Sequence, residues 1–199
     1  GFITELPKIS KFTSVAIGPG IGIKQETASL FKLLIQEAKT PLVIDADAIN
    51  ILAEHPTWLA YLPKGSILTP HPGEFARLVG EKSSHCENIE RQKEFSIRFG
   101  IYILLKGGHS TLSLPDGQIL VNDSGNPGMA SAGMGDVLTG IIAGLLASGY
   151  SSMEAGALGT FVHGLAADLA LEEQSYESLI ATDVLAYLGR AFKILENEI

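Results

Sequence analysis

An aspartate set between glycines and an apolar helix can do one of two things: cap the helix, or accept a proton. Asp136 stands in such a place, inside residues 122–149, NDSGNPGMASAGMGDVLTGIIAGLLASG. Gly133 and Gly135 beside it let main-chain N–H groups come close to a ligand. Val137, Leu138, Ile141, Ile142, Leu145 and Leu146 then recur at helical spacing. A helix N-terminus gathers unpaired N–H donors and a positive dipole end, which suits an anion such as phosphate. On the residues alone, both readings of Asp136 stand: helix cap and general base.

Other chemistry-bearing residues lie in short polar clusters. His71 sits between Pro70 and Pro72, which fix their own φ angles and remove two N–H donors. Such rigidity would aim an imidazole, although a loop histidine is ordinarily just solvated. Lys106 ends the apolar run 101–105 and is followed by Gly107, Gly108, His109 and Ser110. A lysine there ordinarily surfaces to water; the glycines after it point instead to open space and free donors. Gly18-Pro19-Gly20-Ile21-Gly22 reads as a tight strand–helix turn. Asp45 and Asp47 read as helix caps, because two carboxylates this close need further oxygen ligands to hold Mg²⁺. They are left out of the candidate site. His163 and Asp168 read as core or N–H-satisfying groups, Gly140 and Gly144 as close helix packing, and Thr182 as a helix cap.

The elements that must position these groups alternate. Strands are expected at 12–17, 41–44, 66–68 and 101–105, with a hairpin of 111–114 and 118–121 around Pro115-Asp116-Gly117. Helices are expected at 24–38, after Glu74, at 86–99, through about 147, at 153–172 and from 182 to the end. Buried strands alternating with helices make an α/β fold with a mainly parallel sheet covered on both faces. The polar clusters fall at the strands' carboxyl ends, where open α/β sheets bind ligands.

Composition bounds the rest. The chain has 199 residues, 46% of them hydrophobic, and a formal net charge of −8. One domain, 1–199, is expected, since no repeat or linker divides it. The acidic balance argues against nucleic acid or an anionic membrane as partner, but not against nucleotides, whose phosphates loop amides and a few lysines can neutralise. Cys86 is the only cysteine, so no internal disulfide forms. The N-terminal residues GFITELPK do not read as a secretion signal, and the longest apolar run is too short to span a bilayer. A cytoplasmic protein is expected.

GPGIG, DADAIN, TPHPGEFARL, KGGHS and GNPGMASAGMGDVLTGIIAGLLASG follow one another in that order. Together they resemble the ADP- or ATP-dependent NAD(P)H-hydrate dehydratase family, of the ribokinase-like superfamily. Family members begin with further glycine-rich strand–helix units ahead of Phe12, so the chain resembles the C-terminal part of such a domain. The resemblance implies a three-layer αβα sandwich and an ADP-driven dehydration of NADHX and NADPHX, with Mg²⁺. It implies that Asp136 is the catalytic base, and that Gly22, His71 and Asp136 contact the hydrated substrate. Lys106, Gly107, Gly108, His109, Ser110, Asn126, Gly133 and Gly135 would hold the adenine nucleotide. Glu74 would help organise the metal. A homo-oligomer and fusion to an NAD(P)H-hydrate epimerase domain are implied as well. A small-molecule kinase on the same fold, or a non-catalytic nucleotide-binding module, stays open beside this reading.

Overall fold

The computed structural model describes residues 8–80 and 85–198, with the side chains of residues 85, 86 and 198 left aside. The readings made of the N-terminal residues 1–7, of the Cys86 thiol and of the last residue fall outside what it describes.

Three short strands form first, each followed by one or more helices: β1 (Val15–Ile17), β2 (Leu42–Ile44) and β3 (Ile67–Leu68). They are followed by β4 (Tyr102–Leu105), β5 (Ser110–Ser113) and β6 (Ile119–Asn122). The six lie side by side in chain order, parallel from β1 to β4 and antiparallel from β4 to β6. Leu42, Val43 and Ile44 are all buried, as a central parallel strand requires when both faces are covered. The β5–β6 hairpin turns at Pro115–Gly117, where Asp116 Oδ1 accepts the Gln118 N–H at 2.9 Å.

Helices α1 (Gln25–Glu37), α2 (Ala46–Glu54), α3 (Pro72–Val79) and α4 (His85–Phe99) cover one face of the sheet. There Phe31, Ile35, Ile49, Leu52 and Phe75 pack with Leu42, Ile44, Leu68 and Ile103, and Phe95 and Phe99 close the edge. The opposite face is covered by α5 (Met134–Ala147) and α6 (Ser152–Ala170), with Leu138, Ile142, Leu145 and Ala155 against Val43, Ile67, Leu104 and Leu112. Helix α7 (Ala181–Glu198) packs outside α5 and α6 through Val184 and Ala191. This is the three-layer, ribokinase-like α/β arrangement expected. Among the described residues no helix is long and apolar enough to cross a membrane.

The helix implied by the capping reading of Asp45 and Asp47 is α2, in which Ala48, Ile49, Ile51 and Leu52 recur at helical spacing and are fully buried. Two local expectations are corrected. Gly140 and Gly144 do not mediate close packing: both are exposed, and a methyl group at either would meet nothing within 4 Å. Thr182 is not the cap of α7, which starts one residue earlier. The Asp183 carboxylate accepts the Ile180 N–H at 2.9 Å instead.

Candidate active site

The carboxyl ends of β2 and β4 and the N-terminus of α5 meet at one point. Lys106, directly after β4, places its Nζ 2.8 Å from Asp45 Oδ1, directly after β2. The other Asp45 oxygen accepts the Thr139 hydroxyl at 2.9 Å. A methyl at Gly135 would stand 3.3 Å from Lys106 Nζ and 3.5 Å from Asp45 Oδ2, so a side chain there would crowd the pair. Asp45 is 1% exposed. A carboxylate so buried must be paired and hydrogen-bonded, and Lys106 and Thr139 supply both conditions.

Sequence reading left Asp45 out of the site as a helix cap, and the structure corrects the part its side chain plays. Asp45 does hold the N-cap position of α2, but its side chain makes no capping bond. Asp47 is likewise drawn elsewhere, its Oδ2 accepting the Gly22 N–H at 2.8 Å. That bond ties the loop after β1 to the start of α2. Thr139 was missed altogether. Its signal was a lone hydroxyl one turn after Asp136, on the buried side of an apolar helix.

Helix α5 is capped by Gly133 at φ 87°, a left-handed conformation that glycine adopts without cost. Asp136 is therefore not the cap but the third residue of the helix. Its side chain is exposed and makes no capping bond, and among the described residues nothing hydrogen-bonds its carboxylate. The first helical bond runs from Val137 N–H to the Gly133 carbonyl, leaving the earlier amides without intrahelical partners. The unpaired amides and the exposed Asp136 carboxylate thus belong to the same helical turn as Gly135, which adjoins Lys106.

The glycine-rich loop leading into α5 is clamped from α6. Asp168 accepts the Gly125 N–H and the Asn126 amide, each at 2.8 Å. Asn126 in turn accepts the Gly128 N–H at 3.1 Å, so its side chain is fixed on both ends. Asp168 acts here as the N–H-satisfying group expected of it. In the loop after Lys106, Gly107, Gly108 and His109 are exposed; Ser110 bonds weakly back to Gly107, and His109 lies 3.1 Å from Asp123.

His71 and Glu74 hold each other. His71 Nδ1 accepts the Gly73 N–H at 3.0 Å, Glu74 Oε2 accepts the His71 N–H at 2.8 Å, and His71 Nε2 lies 3.3 Å from Glu74 Oε1. This capping box starts α3 and leaves the imidazole half-exposed at the end of β3. Both Glu74 oxygens are engaged, and among the described residues no three His, Cys, Asp or Glu side chains gather as a metal cluster. Among the described residues there is therefore no carboxylate cage for magnesium.

His163 on α6 is buried beside this site with no hydrogen-bond partner for Nε2 among the described residues. Burial first, and the Lys106 charge second, push its imidazole from the ordinary 6.5 down to about 4, against an upward pull from the Met134 backbone. The unfolded chain binds this proton below about 6.5 and the folded chain only below about 4. Stability is thus lost as pH falls through that window, by on the order of 3 kcal/mol at its lower end. Urea midpoints at pH 7 and 4.5 should show His163→Gln losing less stability on acidification than the wild type. Equal losses would mean that the imidazole titrates normally.

The model of the NAD(P)H-hydrate dehydratase family matches residues 3–190. The bifunctional NAD(P)H-hydrate repair enzyme Nnr of Moorella thermoacetica is 39% identical, over 98% of this chain and 37% of that protein. The ADP-dependent (S)-NAD(P)H-hydrate dehydratase of Neisseria meningitidis is 38% identical, over 98% of this chain and 67% of its own. An ADP/ATP-dependent NAD(P)H-hydrate dehydratase from Bacillus subtilis, co-crystallised with ATP/Mg²⁺, superposes with a TM-score of 0.78 at 31% identity, over 91% of this chain and 64% of that one. The chain spans little more than a third of the bifunctional relatives it matches and about two thirds of the single-function ones. With the same fold and a family match over nearly its whole length, the chain belongs to the NAD(P)H-hydrate dehydratase family.

Proposed function

We propose that this chain carries the dehydratase chemistry of its family: ADP-dependent repair of NADHX and NADPHX to NADH and NADPH. The observation that carries it is the free Asp136 carboxylate in the first turn of α5, with the unpaired amides and next to Gly135, which adjoins Lys106. Hydroxide leaves poorly and phosphate well, so a dehydratase gains by phosphorylating first. Asp136 takes the proton of the ring hydroxyl as its oxygen attacks the terminal phosphoryl group of ADP, and AMP departs. The amides around Gly133 and Gly135, with Lys106, hold the charge developing on the transferred group. Loss of phosphate and a ring proton then restores the dihydropyridine. Gly22 and His71, at the ends of β1 and β3, are the groups proposed to face the hydrated nicotinamide. Magnesium, which prefers phosphate oxygens and water, would enter with the nucleotide. Fusion to an epimerase domain and a cytoplasmic setting belong to the same reading.

The test is calorimetry with AMP, ADP and ATP on the full-length protein, followed by the return of NADH absorbance from NADHX. Adenine nucleotides should bind, and Lys106→Met should weaken ADP by roughly tenfold or more, the loss of a charge-assisted contact. No heat with any of the three would refute the assignment. A stable phosphorylated product without NADH would mark a kinase instead.

A further inference from the structure

The Asp45 carboxylate is set in place by features that its burial alone does not require. Ala46, the next residue, is the one described non-glycine residue at positive φ, 47°. That conformation is strained for an alanine and persists only where its surroundings impose it. Its effect is to start α2 while leaving the Asp45 side chain out of the capping position, for which aspartate is well suited. Gly18, in the loop after β1, lies so close to the Asp45 carbonyl that any methyl there would run into it. The Asp45 N–H is bonded to the Ile17 carbonyl at 3.0 Å. Backbone strain, a forgone cap and a forced close approach therefore fix the Asp45 backbone, and the Thr139 hydroxyl holds its carboxylate, aimed at one ammonium.

From this geometry we propose that Asp45 is the positioning residue for Lys106, with Thr139 holding Asp45 in turn. This rests on the proposed function, in which Lys106 meets the phosphates. A lysine is a flexible four-carbon stem with three donors, and by itself it samples many rotamers. Bonded to Asp45 at 2.8 Å, its ammonium spends one donor there and keeps the others beside Gly135, where the transferring phosphoryl group would pass. The carboxylate adds negative charge near an anion, so its contribution is not tighter nucleotide binding. Its contribution is placement of the ammonium when charge moves, which appears in turnover.

The experiment is a double-mutant cycle in the full-length protein, with Asp45→Asn, Lys106→Met and the pair. Asp45→Asn should lower turnover at saturating substrate about 10²-fold while shifting the ADP Kd less than about fivefold. In the Lys106→Met background the same change should cost less than about threefold, because the group it acts through is gone. Thr139→Val, which keeps the side-chain shape, should lower turnover roughly fivefold by the same route, and serves if Asp45→Asn fails to fold. Labelling of Lys106 by an amine-reactive reagent, read by mass spectrometry, should rise several-fold in either variant. Additive losses in the cycle, or unchanged turnover with unchanged labelling, would overturn the proposal. If the wild type does not dehydrate NADHX, the proposed function fails, and the labelling arm still decides whether Asp45 holds Lys106.

Discussion

Asp136→Asn should abolish most of the turnover and leave the fold almost untouched. Its carboxylate is exposed at the third position of α5 and the cap is supplied by Gly133, so no buried contact is lost. What disappears is a charge–dipole attraction worth about 0.3–1 kcal/mol. Asparagine is close to isosteric but cannot take up the hydroxyl proton. The rate should therefore fall by roughly 10²-fold or more, as expected for removal of a general base. ADP affinity should change less than the rate, and in the direction of tighter binding, since a negative charge beside phosphates is gone. Melting curves, an ADP titration and NADHX dehydration rates on the full-length protein measure all three quantities. Wild-type turnover in Asp136→Asn would reduce the carboxylate to a dipole partner and move the base elsewhere.

Gly164→Ala should be the most damaging single methyl group in the molecule's second half. A Cβ there would lie 2.6 Å from the Ser124 carbonyl carbon and 2.8 Å from the Gly125 nitrogen, both backbone atoms that have no rotamer to change. The loop must move away from α6, and with it go the Asp168 bonds to Gly125 and Asn126. Overpacking costs about 1–3 kcal/mol, and charge-assisted hydrogen bonds contribute about 1.5–3 kcal/mol each. A loss of about 4 kcal/mol is expected in urea denaturation, with ADP binding weakened because the same loop leads into α5. Gly140→Ala is the control: an exposed helical site with open space should gain about 0.5–1 kcal/mol. The same substitution thus changes sign between two helices. Equal effects at the two sites would show that backbone contact at Gly164 is not what decides the outcome.

The strands and the location of the site were legible because contiguous apolar runs ending in glycine and proline clusters leave few alternatives. Lys106 and Gly135, far apart in the chain, were placed in one site by the family resemblance, and the two do adjoin. Asp45 was not legible. Its position after a strand and before a helix is what a capping aspartate looks like, and only the left-handed Ala46 turns it away. An alanine gives no warning of that, since the residues that ordinarily mark positive φ are glycine and asparagine. Gly140 and Gly144 misled in the opposite sense: their spacing is a packing signature, but whether a surface faces a neighbour or solvent is not written in the spacing.

The order of the sheet carries a consequence for biosynthesis. Because β1 to β4 advance across the sheet in one direction, and crossovers of parallel strands share one hand, α1 to α4 are all delivered to the same face. Val43, Ile67, Leu104 and Leu112, on the other face, pack against α5 and α6, which are made only after all six strands. A nascent chain halted in the hairpin, near Asn122, would hold these four side chains without α5 and α6 over them, an apolar surface prone to aggregate. The glycine-rich loop and α5 therefore complete two things in one stroke of translation: the anion-binding mouth, and the lid on half the hydrophobic core.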